Sequence, residues 1–126
     1  MLWVKSRNAI YYHGLWDAVR TNKAAIYSNA TVAEDTTTGG TLGSFDSDGF
    51  TTQNVSGGFV NNSGTTYASW SWKANGAGSA NTDGSINSTV SVNTTSSFSI
   101  VSYTGTGANG TIGHGLGQAP DMIIVK

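Results

Sequence analysis

Between Tyr67 and Lys73 the chain reads YASWSWK, and Ala68, Trp70 and Trp72 alternate with Tyr67, Ser69, Ser71 and Lys73. A period of two sends successive side chains to opposite faces of a strand. The spacing therefore predicts a strand with its tryptophans turned into the core. The stretch SINSTVSVNT (85–94) alternates in the same way, with Ile86, Val90 and Val92 on one face. SFSIVSYTGTG (97–107) reads as a strand running into a glycine-rich turn. Residues 1–5, MLWVK, are apolar on both faces apart from Lys5, and residues 122–126, MIIVK, follow Pro120; both read as strands.

The remaining segments are less regular. Residues 6–23 have partly helical spacing at Ile10, Leu15, Trp16 and Val19, but Gly14 interrupts it and β-formers dominate the first half. An irregular or strand-like path is expected there. Residues 24–45 read as mostly loop, with a short strand near Ala25–Ser28. In SFDSDGFTT an Asp-Gly pair lies between two phenylalanines, which signals a tight turn. Asn62, Ser63 and Gly64 form another turn, and 75–84 reads as loop. Short strands with turn signals about every 8–12 residues predict an all-β fold, an antiparallel β-sandwich or jelly roll, with 126 residues as a single domain or one unit of an array.

MLWVK and MIIVK share three of five residues, and each has a neighbouring His-Gly-Leu, at His13 and at His114. Three arrangements would account for such a pair. The two strands could pair within one sandwich, mark successive boundaries of a repeat, or pair between chains. An exposed apolar edge strand is a template for pairing and is rarely left bare. The third arrangement is favoured, with Leu2, Trp3, Val4, Met122, Ile123, Ile124 and Val125 as the self-association residues.

Composition narrows the function. Charged residues make up 10%, and net charge is −1. With no Lys/Arg cluster, a phosphate-binding surface and a nucleic-acid partner are not expected. Gly, Ser, Thr and Asn make up about half of the chain. Four Trp, five Tyr and four Phe argue against disorder. Cysteine is absent, which excludes disulfides and thiolate metal sites. No apolar run reaches membrane-spanning length, so membrane insertion is not expected, and no leader of the secretory kind is visible.

Candidate chemistry is sparse. Asp46 and Asp48 stand two apart in FDSDG, as a calcium loop would begin, but no further oxygen ligands follow at its spacing. A turn in which the Asp side chains bond the backbone is the preferred reading. Glu34 and Asp35 read as solvated. One Glu and six Asp offer no clear acid–base pair for glycoside hydrolysis. His13 and His114 have no nucleophile motif and no third metal ligand, and read as structural. The glycine-rich runs, GGTLG (39–43) among them, lack the context of phosphate loops and read as turns. Asn-X-Ser/Thr triplets at Asn29, Asn54, Asn61, Asn87, Asn93 and Asn109 are what this composition gives by chance. Trp70 and Trp72 read as core. Trp16, in an apparent loop, is the best candidate for an exposed aromatic. With Tyr11, Tyr12, Asp46 and Asp48 it forms the candidate ligand-contact set.

The phrases LWVKSRNA, FDSDGFT, NNSGTTYASWSWKA, SFSIVSYTGTG and GHGLGQAPDMIIVK, in that order, resemble a domain of large structural proteins of tailed, often marine, bacteriophages. The resemblance spans nearly the whole chain. It implies a β-sandwich of the concanavalin or laminin-G kind, without catalytic residues or cofactor, located on the virion and hence extracellular. The expected function is that of a non-enzymatic tail-fibre, appendage or capsid-decoration protein that self-associates or contacts other virion proteins. The alternative is a lectin-like module that binds host surface glycans.

Overall fold

The computed structural model describes residues 1–37, 42–53 and 59–126. The Gly39–Gly40 turn and the Asn54 triplet expected from the sequence lie outside the described residues. Among the described residues nine strands follow in order: β1 Leu2–Ser6, β2 Gly14–Asp17, β3 Thr21–Tyr27, β4 Leu42–Phe45, β5 Phe50–Thr52, β6 Tyr67–Ser71, β7 Ser79–Asn81, β8 Ser88–Asn93 and β9 Phe98–Tyr103. Every strand ladder is antiparallel, and no helix occurs among the described residues. The fold is all-β and sandwich-like. The chain forms two compact units, one of Met1–Asp17, Thr21–Ser71 and Lys126, the other of Ala18–Arg20 and Trp72–Val125.

In the first unit a four-stranded sheet runs β3-β2-β1-β6, and β4 and β5 form a hairpin. β1 pairs on both sides, with Leu2 opposite Trp16 on β2 and opposite Ser71 on β6. A strand bonded on both edges cannot serve as a free edge. Its core face is closed as well, since Leu2 and Val4 are buried. The expectation that Leu2, Trp3 and Val4 form a self-association surface is therefore corrected. They build the sheet centre, with Trp3 half-buried against Trp70 at a ring separation of 5.5 Å.

The core cluster joins Leu2, Val4, Trp16, Ala25, Tyr27, Leu42, Phe59 and Val60, with Ala30, Phe50 and Tyr67 packed against it. Leu42 and Phe50 come from the β4–β5 hairpin, so hairpin and sheet share one apolar interior. Trp16 is fully buried on β2, which corrects its assignment as an exposed loop aromatic. Gly14 permits this burial. A Cβ at Gly14 would overlap the Trp16 ring and press on Phe59, so the glycine leaves the space the indole fills. Phe59 stacks on Trp16 at a ring separation of 5.9 Å and 25°. The glycine that interrupts the helical spacing is thus a packing device in a strand.

The alternation in YASWS is real, but the tryptophan lies on the opposite face from the one expected. Trp70 pairs with Trp3, and Ala68 with Lys5. That face is opposite to the one on which Leu2 and Val4 meet the core. On the face shared with Leu2 and Val4, β6 presents Tyr67, which packs against the core cluster, and the exposed Ser69 and Ser71, while Trp70 on the other face is 48% exposed. Trp72 lies beyond β6 and is 36% exposed. Both core assignments are corrected.

The second unit contains the sheet β7-β8-β9. Val90 is buried on β8 as the alternation predicts, but Ser88 and Ser91 are buried beside it. Ser91 is satisfied there: its Oγ accepts from the Asn75 N–H and donates to the Gly76 carbonyl, both at 2.8 Å. A parallel bridge joins Ile86 to Ile112, reinforced by reciprocal bonds between Ser85 and Thr111. Trp72 stacks on Phe98 at 6.0 Å and 17°. Residues 122–126 form no strand, against expectation. Met122, Ile123, Ile124 and Val125 are each between 64% and 75% exposed.

Candidate functional site

The first unit carries a groove of about 400 Å³ lined by Ile10, Tyr11, Tyr12, Asn29 and Phe59. Its position follows from the connection between β1 and β2. Ser6 is buried at the end of β1, and its Oγ accepts from the Ala9 N–H at 3.0 Å, which turns the chain. The chain rejoins the sheet at His13. There the His13 N–H donates to Asn29 Oδ1 at 2.8 Å, and the Ser28 N–H donates to the His13 carbonyl at 3.0 Å. Residues 10–12 are held between these two anchors.

The groove floor is an aromatic stack. Tyr12 lies over Tyr27 at 4.5 Å and 23°, and Phe59 meets Tyr12 and Tyr27 edge-on. Tyr27 is buried, and its hydroxyl donates to Asp35 Oδ2 at 2.7 Å. The other Asp35 oxygen accepts from the Thr37 N–H and hydroxyl, at 2.8 and 2.7 Å. Ala25 and Asp35 also exchange two backbone bonds of 2.9 Å. The Tyr27 and Thr37 donors hold the Asp35 carboxyl below its ordinary value, against the opposing effect of burial. Burial first, then the bond to Asp35, pushes the Tyr27 hydroxyl well above its ordinary range. Asp35 was expected to be solvated; it is a fixed acceptor under the aromatic stack. The sequence signal was faint, a tyrosine and an aspartate eight apart on either side of a turn.

Of the five ligand-contact residues named from the sequence, Tyr11 and Tyr12 line this groove. Trp16 is inside the core, and Asp46 and Asp48 are not among the lining residues. Asp46 forms the hairpin turn between β4 and β5. Its N–H donates to the Gly49 carbonyl at 2.9 Å, and its carboxylate accepts from Ser44 Oγ at 2.6 Å and Thr51 Oγ1 at 2.8 Å. Those hydroxyls lower its pKa. Asp46 lies in the expected turn, but its carboxylate bonds the Ser44 and Thr51 hydroxyls rather than the backbone, and Asp48 is exposed beside it. No group of three or more His, Cys, Asp or Glu side chains that could hold a metal ion occurs among the described residues.

The two His-Gly-Leu copies do not occupy equivalent places. His13 leads into the buried strand β2, and burial first, then Lys5, lower its pKa. His114 lies in a turn. Its Nδ1 accepts from the Leu116 N–H at 3.2 Å, and Gly115 has φ +72°. The Ser99 hydroxyl donates to the His114 carbonyl at 2.6 Å. The second phrase needs a left-handed glycine, while the first needs a glycine for side-chain room.

Residues 1–126 match a family described as a Domain of unknown function (DUF7483). The chain belongs to the DUF7483 family. No curated protein and no solved structure matches it. The groove and the exposed apolar segment Met122–Val125 are the surface features of this DUF7483 chain that bear on its function. No helix of the described residues is long and apolar enough to cross a membrane.

Proposed function

We propose that this domain is a non-enzymatic structural component of a bacteriophage particle, in a tail fibre, appendage or capsid decoration, and that it works by associating with copies of itself. The observation that carries this reading is the segment Met122–Val125. Four consecutive large apolar side chains are exposed without a strand partner. Scattered apolar surface residues need no explanation, but a contiguous run points to an interaction surface. The phage setting rests on the sequence phrases quoted above. Self-association is tested by sedimentation velocity across a concentration series. The parent chain should form oligomers as concentration rises, and Ile124→Asp should remain a folded single chain. A parent that stays monomeric throughout overturns the reading. Recovery of the domain in purified particles by mass spectrometry tests the virion location.

A second reading, glycan binding, is favoured by the groove. Two exposed tyrosines beside an amide give stacking faces and hydrogen-bonding groups without charge, and a volume near 400 Å³ is in the range of ligand pockets. Screening against bacterial surface polysaccharides with the parent and Tyr12→Ala separates the readings. Retained parent binding that the variant loses supports it.

A further inference from the structure

The exposed segment has a counterpart within the chain whose packing is known. Met122-Ile123-Ile124-Val125-Lys126 matches Met1-Leu2-Trp3-Val4-Lys5 at its first, fourth and fifth residues. The earlier copy is β1, and it lies along one edge of β6 in antiparallel register: Leu2 opposite Ser71, Trp3 opposite Trp70, Val4 opposite Ser69. β6 ends the sheet, and no strand among the described residues pairs with its other edge. We infer that the Met122–Val125 segment of one copy adds as a strand to the outer edge of β6 of a second copy. This rests on the self-association reading above and names its partner surface.

The register follows from the match. Ile123 lies opposite Ser71, Ile124 opposite Trp70, and Val125 opposite Ser69. Ile124 then packs on the flank of Trp70 away from Trp3. A β-branched residue against an aromatic is a favourable cross-strand pair. Trp70, 48% exposed in the single chain, is covered by the addition. Neither β6 nor residues 122–125 carry a charge, so none is buried. Strand addition draws affinity from backbone bonds, which an open edge supplies.

The other sheet ends are less suited. β3, at the far end of the same sheet, carries Lys23 and is bridged by Asp35 at Ala25, two features that blunt an edge. β7 is only three residues long. On β9, the Ser99 hydroxyl already holds the chain's own His114 carbonyl. In the single chain, Lys126 donates to the Val32 carbonyl at 3.3 Å, an exposed bond that is readily exchanged.

The chain has no cysteine, so introduced thiols are the only ones present. Chains carrying Ile123→Cys and chains carrying Ser71→Cys, both at exposed positions, are mixed and oxidised. Disulfide-linked dimers of unlike chains are expected in excess of those formed by either variant alone. Ile123→Cys mixed with Ser102→Cys on β9 should give no such excess. A second arm places a charge on the receiving edge: Trp70→Lys should melt near the parent temperature yet sediment as a single chain. If the parent associates but cross-linking favours β9, or Trp70→Lys still associates, the β6 pairing is wrong and self-association stands. If the parent does not associate at all, both fall.

Discussion

The four tryptophans show that residue type does not decide burial. Trp16 is enclosed while Trp70 is half in solvent, so their substitutions separate sharply. Trp16→Ala should cost about 3–5 kcal/mol, the range of large-to-small core changes, against a total stability of about 5–15 kcal/mol. Trp70→Ala should cost about 1 kcal/mol, mainly from its pairing with Trp3. Denaturant melts of the two variants check this, and equal losses would contradict the assignment of faces. Gly14→Ala should destabilise by about 1–3 kcal/mol, as overpacking does, although alanine is the better strand residue. The Tyr27–Asp35 pair sets a pH dependence. The Asp35 pKa lies below its ordinary 3.8, so its contribution is present above that value and fades as pH falls through the folded pKa. The Tyr27 pKa lies above its ordinary 10.0, so its contribution is complete below pH 10 and fades as pH rises beyond it. Tyr27→Phe should flatten both limbs of a stability–pH curve and lower the plateau by about 1.5–3 kcal/mol, the value of a hydrogen bond to a charged group. Limbs identical to the parent's would show that other groups set them. Little of this was legible in the sequence. The period of two in YASWS defines two faces but not which one the core takes, and Gly14 reads as a break until the Trp16 ring is placed over it.

At the scale of elements, the turns were the most legible features, because their chemistry is local. Asp46 closes the β4–β5 hairpin with bonds to residues within five positions, and Asn62 accepts from the Thr65 N–H at 3.1 Å around Gly64, whose φ is +75°. Strands β8 and β9 could be read from their alternation and from β-branched content. The terminal phrases could not be told apart, since their difference lies in what surrounds them. β1 has a neighbour on each side, while 122–126 has no strand partner. Matched substitutions measure that difference. Val4 and Val125 stand at equivalent places in the two phrases. Val4→Asp puts a carboxylate into the core of the first unit and should abolish its cooperative melt. Val125→Asp should leave the melting temperature within about 2 °C of the parent, as surface changes do. If both variants unfold, the later segment is a core strand after all.

At the scale of the whole molecule, the mode of association should be readable from its response to salt. The chain carries six basic and seven acidic residues, and the segment and strand proposed to pair carry none. Association steered by charge weakens as ions screen it, with a screening length of about 10 Å at 0.1 M salt and about 3 Å at 1 M. Association through apolar burial and backbone bonds lacks that dependence, and sulfate strengthens it by exclusion from the surface. Sedimentation equilibrium of the parent should therefore give a dissociation constant that changes little between about 0.1 M and about 1 M sodium chloride. It should tighten in ammonium sulfate. Open-ended addition predicts a further feature: each copy offers one segment and one edge, so growth is head-to-tail and does not stop at a dimer unless the rotation closes a ring. Fitted masses should rise through successive multiples with concentration or settle at one closed number above two. A dimer that persists at every concentration would instead require a self-complementary interface, and a dissociation constant that rises steeply with salt would place the contact on charged residues.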